Sequence, residues 1–106
     1  MAIQAPFQAR IPLPLEEMEA FCSKWGLQEL SLFGSVLRDD FSPQSDIDVL
    51  VTFAPEARWT LFDFVDMRAE LETLLGHKVD LVSLGGLRNP FRRHEILRTR
   101  HVVYAA

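Results

Sequence analysis

The chain has 106 residues, 48% of them hydrophobic and 25% charged, with a formal net charge of −4. That length suits one domain with one modest core, and the balance of apolar to charged residues excludes a disordered chain. The single cysteine, Cys22, excludes an internal disulfide or a thiolate metal site.

In chain order, the opening MAIQAPFQARIPLPLEE has early prolines and no apolar segment, which does not read as a secretory signal. No apolar run approaches the roughly 18 residues expected of a bilayer span, so we expect no membrane contact and a cytoplasmic protein. Leu15, Met18, Phe21, Cys22 and Trp25 recur at helical spacing and predict a helix over 15–25, capped by Gly26. Cys22 lies on that stripe and reads as a core residue. Residues 29–33 (ELSLF) predict a short strand that stops at Gly34-Ser35, followed by one or two helical turns over 36–39.

Pro43 makes 41–44 loop-like. Residues 46–53 (DIDVLVTF) form the strongest strand pattern, rich in β-branched residues and apolar on both faces beyond its start. Thr60 and Asp63 stand at capping-box spacing before a helix over 61–75, which ends at Gly76. On it Phe62, Phe64, Met67, Leu71 and Leu74 read as core positions. Residues 78–84 (KVDLVSL) predict a third strand and Gly85-Gly86 a turn. Asn89-Pro90 starts a last helix, with 101–104 extending beyond it. The order α-β-α-β-α-β-α predicts an α/β (α+β) fold, a small mixed sheet flanked by helices, over a single domain 1–106.

Three acidic residues stand where strands normally place apolar ones. Asp46 and Asp48 are two apart, so on a strand they share a face with α-carbons roughly 6.6 Å apart. Asp80 interrupts the third strand and would join them if the two strands are neighbours. Two carboxylates about 5 Å apart repel by roughly 3 kcal/mol at an effective dielectric near 20. A divalent cation removes that repulsion, and oxygen-only donors point to Mg²⁺ or Mn²⁺. Gly34-Ser35, between a strand and a helical turn, offers backbone amides and a hydroxyl to a phosphate, and Arg38 stands one turn further on. An anion cradle beside a carboxylate cluster suits phosphoryl or nucleotidyl transfer.

The stretch LFGSVLRDDFSPQSDIDVLVTF resembles the minimal nucleotidyltransferases of the polymerase-β-like superfamily, whose pattern is Gly-Ser, then Asp-x-Asp, then a lone Asp on a later strand. The ending LRNPFRRHEILRTRHVVY is similar to theirs too, so the resemblance covers nearly the whole chain. It implies a nucleotidyltransferase fold in which Gly34 and Ser35 hold the β,γ-phosphates of a nucleoside triphosphate, with Arg38 as a further phosphate ligand. It implies that Asp46 and Asp48 ligate two metal ions. Asp80 would bind the catalytic metal and help deprotonate the attacking hydroxyl. Asp39-Asp40 depart from the family, in which a glycine often follows the arginine.

Larger transferases of this superfamily add an acceptor domain, which 106 residues leave no room for. The resemblance therefore implies an antitoxin that moves AMP from ATP to a tyrosine of a partner HEPN ribonuclease toxin. Three alternatives stay open: neutralisation by binding alone, nucleotidylation of a small molecule such as an aminoglycoside, and self-modification at Tyr104. Arg88, Arg92, Arg93, Arg98 and Arg100 against Glu95 leave residues 88–106 basic within an acidic remainder. They read as a solvated helix face or as partner interface, and direct nucleic-acid binding is not expected. His77, His94 and His101 lack ligand spacing.

Overall fold

The computed structural model describes residues 2–3, 13–38, 41–42 and 44–106. Its sheet has five strands in the order β1-β5-β2-β3-β4: β1 (Ala2–Ile3), β2 (Leu27–Phe33), β3 (Ile47–Phe53), β4 (Val79–Ser83) and β5 (His101–Ala105). Neighbours are antiparallel except β3 and β4, which run parallel. Parallel neighbours need a crossover, and helix α2 (Leu61–Leu75) supplies it. Helices α1 (Leu15–Lys24) and α3 (Pro90–Thr99) complete the described chain. The mixed α/β architecture matches the expectation.

Why these residues form these elements is visible at their ends. α1 places Glu16 and Glu17 in its first turn and Lys24 in its last, favourable signs for the helix dipole. Gly26 follows at φ 64, the left-handed exit that glycine takes without a steric cost. α2 opens on the expected capping box, Thr60 Oγ1 accepting from the Asp63 amide and Asp63 Oδ2 from the Thr60 amide. α3 opens on Asn89, whose Oδ1 accepts from the amides of Phe91 and Arg92, with Pro90 at the first helical position.

The two sheet faces carry separate cores. Met18, Phe21 and Cys22 of α1 and Met67, Leu71 and Leu75 of α2 pack with Leu30, Leu32, Ile47, Val49, Val51, Val79 and Leu81. On the other face Ile96 of α3 packs with Phe33, Leu50 and Leu87. β3 is therefore buried on both faces, as its unbroken apolar run requires.

Three readings need correction. Residues 101–104 do not extend the last helix. They form β5, which lies between β1 and β2 with a register shift opposite Leu30 and Ser31. β-branched Val102 and Val103 fill a sheet position far better than a frayed helix end. Phe62 is not core but 82% exposed. It lies about 140° around the helix from Met67, at 3.6 residues per turn, and so faces away from the Met67–Leu71–Leu75 stripe. The helical turns expected over 36–39 are one 3-10 turn, Gly34–Leu37, while Asp39 and Asp40 lie outside the described residues.

Candidate active site

Three strand ends meet at the site. β2 pairs with β3 as far as Phe33 opposite Asp48, and β3 pairs with β4 so that Asp48 stands in register with Asp80. In-register neighbours on parallel strands share a face, which here is the face that carries Leu50 and α3. Asp46 immediately precedes β3 and is exposed. β2 has already turned away at Gly34, while on the β4 side the Ile47 amide donates to the Lys78 carbonyl at 2.9 Å.

Gly34 is required twice over. Its φ is 74, in the left-handed region, and a Cβ built there would stand 2.2 Å from Asp48 Oδ2 and 3.2 Å from Asp48 Cγ. The turn backbone therefore lies directly against the Asp48 carboxylate. Ser35 follows, half-buried, and its carbonyl accepts from the Arg38 amide at 2.9 Å. A single 3-10 turn adds little dipole, so any anion held here relies on close backbone approach and on cations rather than on a helix terminus.

The electrostatics tie the group together. The Asp48 carboxyl is pushed above its ordinary range, first by burial, then by the charges of Asp80 and Asp46, while Arg92 and Arg38 pull the other way. The charges of Asp46 and Asp80 thus both bear on Asp48. The three residues do not stand as a finished cage: among the described residues no three His, Cys, Asp or Glu side chains form a group able to hold a metal ion. That donor set still fits Mg²⁺, which binds through one or two carboxylates and completes its shell with water and substrate phosphates.

Residues 18–103 match the family model described as a nucleotidyltransferase domain. The chain belongs to that family. It is 34% identical over 100 residues to the protein adenylyltransferase MntA of Thermococcus cleftensis, covering 87% of this chain and 96% of that one. A solved structure presented as a minimal nucleotidyltransferase is 37% identical, with a TM-score of 0.68, over 82% of this chain and 86% of that chain. A toxin–antitoxin crystal structure with AMP-PNP superposes with a TM-score of 0.72 at 21% identity, over 89% of this chain and 75% of that chain, which shows the shared fold.

In this nucleotidyltransferase Gly34 lies against Asp48, Asp80 stands in register beside it, the charges of Asp46 and Arg38 bear on Asp48, and Ser35 follows Gly34 in the same turn. Arg92, which the sequence places on a solvated helix face or a partner interface, adds its charge to Asp48. The Asn89-Pro90 start that places Arg92 in the first turn of α3 was the available signal, but only the packing of α3 over β2 and β3 brings its charge to Asp48. Lys78, with Gln44, Ser45 and Asp46, lines a cavity of about 310 Å³. Tyr104 is 3% exposed and packs in the core on the α1 and α2 side. Its phenol is pushed up by burial, then by Cys22 and Glu19. It therefore sits across the sheet from Asp48, which disfavours self-modification.

Proposed function

We propose that this chain is the antitoxin of a toxin–antitoxin pair and transfers AMP from ATP, with Mg²⁺, to a tyrosine of a partner HEPN ribonuclease toxin. The observation that carries the chemistry is Gly34 seated on the Asp48 carboxylate with Asp80 in register beside it. The name of the Thermococcus cleftensis relative and the solved toxin–antitoxin neighbours support the acceptor class. On this reading residues 1–106 work as one minimal domain in the cytoplasm, where a lone buried thiol such as Cys22 stays reduced.

Gly34 and Ser35 hold the β,γ-phosphates at the turn, and Arg38 supplies a cation to the same anion. Asp46 and Asp48 would hold the metal, two ions of Mg²⁺ or of Mn²⁺, with Asp80 as a further ligand. When bound, such ions neutralise the carboxylates and stabilise charge on the attacking and leaving oxygens of an in-line displacement. Asp80 also orients the acceptor hydroxyl and receives its proton. The hydroxyl oxygen bonds to the α-phosphorus, the bond from that phosphorus to the bridging oxygen breaks, and pyrophosphate leaves. Arg92, on the α3 side, is placed to balance charge around Asp48.

The test is a pull-down of tagged wild type and of Asp46→Asn/Asp48→Asn from the host, followed by intact mass spectrometry of the co-purified partner. The expected result is a partner heavier by one or more AMP groups with the wild type alone. A partner bound equally by both forms and unmodified by either would refute catalysis and leave an antitoxin acting by contact.

A further inference from the structure

The cavity beside Asp46 has no role in the reading above, and its position gives it one. Gly34 and Ser35 stand at the end of β2, Asp46 and Asp48 at the start of β3, and Lys78 just before β4, so the three lie in sequence across the sheet. In an in-line displacement the attacking and leaving oxygens lie on opposite sides of the phosphorus. With pyrophosphate leaving toward the β2 turn, the attacking hydroxyl must arrive from the β4 side. There the cavity lined by Gln44, Ser45, Asp46 and Lys78 opens. Its volume of about 310 Å³ is at the small end of ligand pockets and is ample for one side chain.

The walls are held in place. The Lys78 carbonyl accepts from the Ile47 amide at 2.9 Å, and the next amide, of Val79, donates to Glu72 Oε2 at 2.9 Å. On the opposite wall the Ser45 amide donates to the Ser42 carbonyl at 2.9 Å, and the Ser42 amide to Ser45 Oγ at 3.1 Å. The Phe41 and His77 rings meet at 5.3 Å, joining the two walls. Lys78 itself is exposed, and among the described residues its ammonium has no hydrogen-bond or ion-pair partner although Asp46 lines the same cavity. A fixed backbone carrying an uncommitted cation is suited to an incoming anion.

We propose that this cavity admits the acceptor side chain, and that Lys78 binds an anionic group next to the acceptor hydroxyl, so that an acceptor with an acidic neighbour is favoured. The inference rests on the nucleotidyl-transfer reading and names the acceptor side of that same site. Lys78 is then an acceptor-binding residue that leaves nucleotide binding untouched.

The test is steady-state AMP transfer to the co-purified partner with Mg²⁺, each substrate varied in turn, for wild type, Lys78→Ala, Lys78→Glu, Lys78→Arg and the cavity-filling Gln44→Phe. Loss of a charge-assisted contact should raise the acceptor KM about tenfold or more in Lys78→Ala and further in Lys78→Glu, with Lys78→Arg largely restored. Gln44→Phe should also raise the acceptor KM. The KM for ATP and the urea midpoint should stay at wild-type values in all four. A raised KM for ATP would give the cavity to the nucleoside and overturn the proposal, and so would unchanged kinetics in Lys78→Ala and Lys78→Glu. A wild type that modifies no partner overturns the functional reading, and this inference with it. An active wild type with indifferent Lys78 variants overturns this inference alone.

Discussion

Replacing Gly34 by alanine tests the contact on which the site is built. Two costs add. An L-residue held at φ 74 costs roughly 1–2 kcal/mol. The new Cβ would also lie 2.2 Å from Asp48 Oδ2, so the carboxylate must leave its rotamer at roughly 0.5–1.5 kcal/mol. We expect Gly34→Ala to lose about 2–3 kcal/mol in urea denaturation. AMP transfer should fall at least about a hundredfold, because a displacement near 1 Å at a reacting group has that effect. The steric part can be isolated in an Asp48→Ala background, where the nearest Asp48 atom is its Cβ at 3.6 Å, an ordinary contact. There Gly34→Ala should cost only the backbone part, giving a coupling energy of about 1 kcal/mol in the double-mutant cycle. Additive costs, or a Gly34→Ala protein that transfers AMP at the wild-type rate, would refute the close approach of turn and carboxylate.

The raised Asp48 carboxyl has a pH signature. Between the ordinary carboxylate range and its raised folded value the native state binds more protons than the unfolded one, so stability falls as pH rises through that window. Without metal, Asp48→Asn should therefore be at least as stable as the wild type at pH 7, with the difference closing on acidification below the ordinary range. In Mg²⁺ and ATP at a hundred times the dissociation constant, the wild type should gain about 2.7 kcal/mol and the variant much less. A destabilised apo variant would make Asp48 structural. Asn89→Ala removes the acceptor for two α3 amides and should cost about 1 kcal/mol by calorimetry, loosening the turn that carries Arg92. Cys22, fully buried with its thiol pushed up to about 12, should resist thiol reagents at pH 8 until the protein unfolds. Rapid labelling of the native protein would contradict that burial.

Much of this protein was legible along the chain because local rules set it. The spacing of Met18, Phe21 and Cys22 determined α1, the Thr60–Asp63 box and the Asn89-Pro90 cap determined where α2 and α3 begin, and the apolar run after Asp48 determined a strand buried on both faces. The Gly-Ser and Asp-x-Asp pattern, with the later Asp80, marked the candidate site for the same reason: each of those residues is unusual in its local setting. What escaped the sequence depends on partners far along the chain. Residues 101–104 became β5 because β2 offered the edge that β3 leaves open, with β1 then pairing on the far side of β5, and Phe62 faces outward because the rest of α2 packs on the sheet side. The register that sets Asp48 beside Asp80, the seating of Gly34 on that carboxylate, the charge of Arg92 from α3 and the cavity at Lys78 belong to tertiary structure alone. Periodicity specifies which face a residue takes on its own element, whereas only the packing of elements decides which face it meets.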